Sequence, residues 1–314
     1  KKMQALHAAL RSTLKANKTL TALDLSYNHL FDFTKHPTNE HVHDYMIELT
    51  DSLVRSKVTR LNVSGNFLCG KGGREYTGIL YLVRKFCARG GLKALWVRDN
   101  RLHSQGCASV SEGLGCYSKL EELDLRDNFL GLDPTGRFNS EGMQLMARQL
   151  SQSLCLHTLK LARNCLRDED ITFLGEAVCY MPRLEILDLS GNLFTGIGVI
   201  AIKQAIISHS ALTGKDEGLK KLDLSYNKVG EVEGMMHLCE ALECTLTLYS
   251  LGLRGCNIGI PDIKLLTETL KHNHTILELD VEENPVLPTL VGLCYAEVEA
   301  LVVCYSLRKN HMAV

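Results

Sequence analysis

One phrase, L-x-x-L-x-L-x-x-N/C-x-L, recurs nine times along the 314 residues, and no other feature restricts the fold as much. It begins at Leu20 (LTALDLSYNHL), Val58 (VTRLNVSGNFL), Leu92 (LKALWVRDNRL), Leu120 (LEELDLRDNFL) and Leu156 (LHTLKLARNCL). It continues at Leu184 (LEILDLSGNLF), Leu219 (LKKLDLSYNKV), Leu248 (LYSLGLRGCNI) and Ile276 (ILELDVEENPV). Successive starts lie 28 to 38 residues apart, so the base period is 28 and the longer intervals carry insertions. Leucines this dense suit neither one face of a helix nor a long strand. They predict a very short strand, centred on Leu123–Leu125 in the fourth phrase, that runs into a turn held by asparagine.

Between phrases, apolar residues recur at three- and four-residue spacing, which predicts helices over 40–56, 73–90, 140–154, 169–181, 196–212, 232–244 and 260–273. The opening KKMQALHAALRSTL reads as another amphipathic helix, that of a repeat already under way, and so as part of a longer protein. Ser140 and Asp168 are the expected helix caps, and Pro261 suits a first helical turn. One strand–turn–helix unit cannot bury its own apolar stripe, so neighbouring units must stack. Each inward leucine contributes about 1.5–3 kcal/mol when fully buried. The asparagine amides are expected to bond to turn backbone groups, as a ladder through Asn28, Asn66, Asn100, Asn128, Asn164, Asn192, Asn227 and Asn284, with Cys256 replacing asparagine once.

The phrase, its period and its asparagine column resemble the leucine-rich-repeat family, in its ribonuclease-inhibitor-like class with 28-residue repeats. The resemblance spans essentially the whole chain. It implies an α/β solenoid, a right-handed horseshoe with short parallel strands on the concave face and helices on the convex face, used for protein binding. Residues 1–314 are then one repeat domain, with 287–314 as its C-terminal cap.

Bulk properties exclude little beyond this. A formal net charge of −1 offers no electrostatic case for nucleic acid. No apolar run approaches the roughly 18–20 residues of a membrane span. The twelve cysteines form no CxxC pair and no zinc-like spacing, and several sit at apolar positions of the repeats. They read as reduced core thiols of a cytoplasmic protein. The sequons at Asn17, Asn62 and Asn273 read as chance matches.

A catalytic reading finds little to stand on. His36, His41, His43 and Asp44 are the nearest approach to a metal site, against the simpler reading of solvated loop histidines. GKGG at 70–73 lacks the rest of a phosphate loop. The expectation is a protein that is not an enzyme, with no cofactor, no metal and no small-molecule substrate. Insertions at 31–41, 131–142 and 213–218 are either contact points or neutral length variation.

The outward columns of the phrase (second, third, fifth, seventh and eighth) carry what individuality the chain has. Most fifth positions are Asp, as the repeat class commonly has. Trp96, the one tryptophan, departs from that wording. Arg98, Asp99, Asp124, Arg126, Asp127, Lys160 and Arg163 fall beside it in adjacent columns. Parallel strands about 4.8 Å apart make these a single patch. Tryptophan and arginine are enriched in binding hot spots, so the patch is a candidate partner site. The rival reading has Trp96 merely stacking on neighbouring arginines. Tyr27 and Tyr226, at the eighth position, are secondary candidates.

The expected function is a non-catalytic protein–protein interaction scaffold in a larger intracellular assembly, and the family analogy extends to cytoskeletal and ciliary (axonemal) subunits. Protein partners are expected on the concave face and the insertion loops, with neither nucleic acid nor membrane involved. The alternatives are a GTPase activator similar to the Ran activating protein, or the sensor domain of a NOD-like receptor.

Overall fold

The computed structural model describes residues 2–30, 40–69, 74, 76–114, 119–213 and 218–285. His36, the GKGG segment, most of the 31–41 and 213–218 insertions, the expected cap at 287–314 and the side chains of His41, His43 and Asp44 lie outside the described residues. The chain forms two compact units, residues 1–165 and 166–314.

The first unit runs α1 (Lys2–Ala16), β1 (Ala22–Asp24), α2 (Glu40–Arg55), β2 (Arg60–Asn62), α3 (Thr77–Arg89), β3 (Ala94–Trp96), α4 (His103–Leu114), β4 (Glu122–Asp124), α5 (Glu141–Leu150) and β5 (Thr158–Lys160). Its strands pair in parallel and in sequence order, each residue opposite its equivalent in the next repeat: Leu61 faces Leu95, and Trp96 faces Asp124. The second unit runs α6 (Asp168–Val178), β6 (Ile186–Asp188), α7 (Gly196–Thr213), β7 (Lys221–Asp223), α8 (Gly234–Cys244), β8 (Ser250–Gly252), α9 (Ile260–His272) and β9 (Glu278–Asp280), with the same register. Each unit is an α/β leucine-rich-repeat solenoid.

Every strand occupies the third to fifth positions of its phrase, one residue earlier than the Leu123–Leu125 expectation. The turn that follows is centred on the eighth position. There the backbone turns left-handed in each phrase: Tyr27, Gly65, Asp99, Asp127 and Arg163 in the first unit, and Gly191, Tyr226, Gly255 and Glu283 in the second, all at φ between 53° and 65°. A non-glycine residue pays about 1–2 kcal/mol for that conformation. The asparagine that follows offsets the cost. Asn100 Nδ2 donates to the carbonyls of Val97 and Arg98 in its own turn at 3.0 Å and to Val63 of the preceding repeat at 3.1 Å. Its Oδ1 accepts from the Asn66 and Leu68 N–H groups, both at 3.1 Å. Asn66, Asn128 and Asn164 repeat the arrangement, so the ladder exists as expected.

Where cysteine replaces asparagine, the Cys256 thiol reaches the Leu224 carbonyl at 3.2 Å. Its N–H donates to Asn284 Oδ1 at 2.8 Å. Burial pushes the Cys256 thiol up to about 12. The Asn227 Oδ1 is buried without a hydrogen-bond partner, a weak rung beside that substitution.

Between strands and helices lies the core. Leu61, Leu95, Leu123 and Leu159, at the fourth position of four of the first unit's five phrases, are fully buried, and Leu23 of the first phrase is half-buried. The α4 helix was not expected from periodicity, because HSQGCASVSEGL packs mostly through small residues: Ser104, Gly106, Cys107, Ser111 and Gly113 are buried beside Val110 and Leu114. That small face lets α5 approach closely. A Cβ on Gly142 would lie 2.1 Å from the Ser104 carbonyl oxygen. The start of α5 is held by Asn139, whose Oδ1 accepts from Glu141 N–H, and by Ser104 Oγ, which accepts from Gly142 N–H. Ser140 occupies the cap position without a capping side-chain bond. Asp168 does not cap its own helix either. It is the first residue of α6, and its Oδ1 accepts from the Thr195 and Gly198 N–H groups at the start of α7. Pro261 does sit in the first turn of α9.

Of the insertions, 131–142 is described fully. It is a tight loop closed by a bridge between Leu132 and Phe138, with Asp133 accepting from the Thr135 and Arg137 N–H groups. The Thr135 hydroxyl, which also donates to Asp133 at 2.6 Å, is the main reason the Asp133 carboxyl lies below the usual range, with the Arg137 N–H bond next.

Candidate protein-binding surface

The strand face of the first unit brings the Trp96 group of residues together, and the organising residue is one the column analysis did not single out. Glu122, at the third position of the fourth phrase, accepts the Trp96 indole N–H at 2.8 Å and the Lys160 ammonium at 3.3 Å through one oxygen. Its other oxygen meets Arg60 Nη2 at 3.4 Å. The Arg60 guanidinium also lies 5.6 Å from the centre of the Trp96 ring. Trp96 is therefore half-buried rather than freely exposed, and part of its expected stacking on arginine is real. The arginine involved is Arg60, from the preceding repeat. Both Glu122 and Arg60 stand in an outward column, which was the available signal for them.

The remaining members join through two aspartates. Asp124 is 3% exposed, and the Arg126 fork, two residues on and just past the end of β4, binds it at 2.6–3.0 Å. Asp127 takes Arg98 Nε at 2.6 Å and Arg163 through two nitrogens, one of them at 2.9 Å. Burial pushes the Asp127 carboxyl up, but the hydrogen bonds from Arg163 and Arg98 outweigh it and hold the group below the usual range. Asp99 keeps an exposed side chain, while its N–H donates to the Arg126 carbonyl at 3.1 Å.

These pairs have a consistent direction. Side-chain exposure is 47% for Arg60 against 20% for Glu122, 28% for Arg126 against 4% for Asp124, and 51% for Arg163 against 23% for Asp127. The carboxylates form the inner layer and the cations the outer one.

Tyr27 borders the same region. Its ring lies over Gly65, where a Cβ would come within 2.3 Å of it, and 57% of the residue is exposed. Tyr27 and Trp96 stand on either side of the second phrase, whose residues between them, Asn62, Ser64 and Gly65, are short. The result is a hollow of about 330 Å³. Tyr226 belongs to the second unit and to a different cluster. Its hydroxyl donates to Glu283 at 2.9 Å, and that bond, with burial a lesser cause, raises its phenol above the ordinary value. Among the described residues, no group of His, Cys, Asp and Glu is placed to hold a metal ion. No described helix is long and apolar enough to cross a membrane.

Two family models match, both of leucine-rich repeats, over residues 16–32 and 183–205. Human NACHT, LRR and PYD domains-containing protein 13 is 29% identical over 251 residues, 73% of this chain and 23% of that protein. Mouse ribonuclease inhibitor is 26% identical over 219 residues, 62% of this chain and 46% of the inhibitor. The chain is a leucine-rich-repeat solenoid of the ribonuclease-inhibitor-like class. The solved structure of the leucine-rich-repeat-containing protein LegL7 from Legionella pneumophila agrees on fold, with a TM-score of 0.50 at 19% identity, covering 84% of this chain and 76% of that one. The curated relatives are larger, and the chain spans between a fifth and a half of the two named here.

Proposed function

We propose that this repeat domain is a non-catalytic scaffold that binds a protein partner on the strand face of its first unit. The observation that carries the reading is the Trp96 cluster: an aromatic side chain locked in place by Glu122 and ringed by outward cations, beside an open hollow. A pre-ordered aromatic anchor surrounded by arginines loses little side-chain entropy on binding, which is the character of a hot spot. Proteins with this repeat generally serve as interaction modules, which supports the same reading. A reducing, cytoplasmic setting belongs to the proposal, and the free thiols support it.

The test is co-purification followed by crosslinking mass spectrometry, with wild type compared to Trp96→Ala combined with Arg126→Glu. Loss of one or more partners, and crosslinks from Lys93 and Lys160 in the wild-type complex, are expected. Recovery of every partner by the double variant would overturn the site. The likeness to NACHT, LRR and PYD proteins favours a second reading, in which the chain is the repeat portion of a larger protein of that architecture. Stimulated GTP hydrolysis in a single-turnover assay with small GTPases would instead make it an activator.

A further inference from the structure

We propose that the hollow between Tyr27 and Trp96 receives an acidic side chain, Asp or Glu, presented by the protein partner. The inference rests on the strand-face reading above and specifies its chemistry. Three observations lead to it.

The first is the layering of charge. In each ion pair around the hollow the carboxylate is the more buried member, so an approaching chain meets guanidinium and ammonium groups first. The nominal charges of the cluster nearly cancel, yet, the exposed Asp24 and Asp99 aside, the accessible part is cationic. Charges buried beneath are already satisfied by their own partners and compete weakly for an incoming group.

The second is Arg98. Its Nε is committed to Asp127 at 2.6 Å, while its two Nη groups have no hydrogen-bond partner among the described residues. Arg98 lines the hollow and is 38% exposed. A guanidinium with one edge anchored and the other open is pre-ordered to take a carboxylate, because its rotamer entropy is already spent. The Tyr27 hydroxyl, which also has no hydrogen-bond partner among the described residues, can donate to the same oxygen acceptors.

The third decides against the opposite charge. A cationic side chain between two aromatic rings would be the natural alternative. That seat on Trp96 is occupied by Arg60 at 5.6 Å. The carboxylate at the hollow's edge, Asp24, is held by Ser26 through its N–H and hydroxyl and by Asn62, and those bonds lower its pKa. Three of its acceptor positions are thereby already taken.

Trp96 is the one tryptophan, so its fluorescence reports on this hollow directly. Iodide should quench it more strongly than caesium at matched ionic strength; equal quenching, or stronger quenching by caesium, overturns the inference. A second arm titrates the protein with capped pentapeptides, Gly-Glu-Phe-Glu-Gly and its Gln and Lys analogues. The acidic peptide should shift the emission at the lowest concentration, and Arg98→Gln should weaken it about tenfold, with partial recovery in Arg98→Lys. Preference for the Lys peptide overturns the charge assignment and leaves the strand-face reading standing. Failure of every peptide to move the emission overturns both. Unchanged affinity in Arg98→Gln overturns the role of Arg98.

Discussion

The strand faces of the two units share one backbone and present opposite charge. In the first unit the outward layer is Arg60, Arg98, Arg126, Lys160 and Arg163, over more buried carboxylates. In the second, Arg254 is the inner member. It is 29% exposed and reaches Asp280 at 3.0 Å, Glu283 at 2.8 Å and also Glu282, which are 43%, 55% and 68% exposed. The columns are the same in both: Arg126 and Arg254 stand at the seventh position of their phrases, and Asp124 and Asp280 at the fifth. What differs is how deep the acid sits: the Asp124 side chain is 4% exposed and that of Asp280 43%, so depth follows the side chains of adjacent repeats and not the position in the phrase. A solenoid of this kind can therefore change the polarity of a face without disturbing the leucines beneath.

If that separation of skeleton from surface is right, damage to the skeleton should depend on the rung and not on the face. The largest effect is expected from Asn100→Ala, which strands two N–H groups and three carbonyls; a loss of at least about 3 kcal/mol in urea unfolding is expected. Asn227→Ala should cost about 1–2 kcal/mol less, since its Oδ1 has no partner to lose. Equal losses would remove the weak rung from the comparison.

Next come the close approaches of helices. Gly142→Ala brings a Cβ against the Ser104 carbonyl and Gly196→Ala against the Glu231 carbonyl, at 2.1 and 2.2 Å. Each should cost about 1–3 kcal/mol by overpacking, and by similar amounts, although they stand in units of opposite surface charge.

A smaller change tests the cysteine rung. Cys256→Asn should raise stability by about 1 kcal/mol through restored amide bonds. It should also alter the pH dependence. Burial raises the Cys256 thiol from 9.0 to about 12 in the folded state, so its contribution is whole below the unfolded value and is lost as pH rises toward 12. Urea midpoints measured from pH 8 upward should fall less in Cys256→Asn than in wild type.

The finest test concerns charge alone. With Tyr226→Trp on a Trp96→Phe background, the reporter moves beside Glu283, and caesium should quench it more than iodide, the reverse of wild type. The same order in both proteins would end the contrast between the faces.

Much of this was legible in the residues. Leucine spacing carried the strand–helix alternation, because burial of the fourth and sixth positions requires it. The asparagine column carried the ladder. The α4 helix escaped because small residues leave only a faint apolar period, Cys107, Val110 and Leu114, and its packing becomes visible only against α5. The caps escaped for a related reason: Asp168 bonds into the neighbouring repeat, a relation between distant segments. Within the candidate site, Trp96 and its ring of charges could be named from their columns, since parallel register aligns equal positions. Glu122 could not be ranked above other outward acids until its oxygen was found between the indole and Lys160.

The sequence by itself determined the repeat, its period, the inward leucines and the set of outward side chains, because each follows from local periodicity and from the need to bury apolar area. Tertiary structure alone decided which charge of each pair lies deeper, which arginine sits on the indole and which guanidinium edge stays open. Those outcomes depend on side chains from adjacent repeats competing for the same few ångströms, and no single phrase contains that competition.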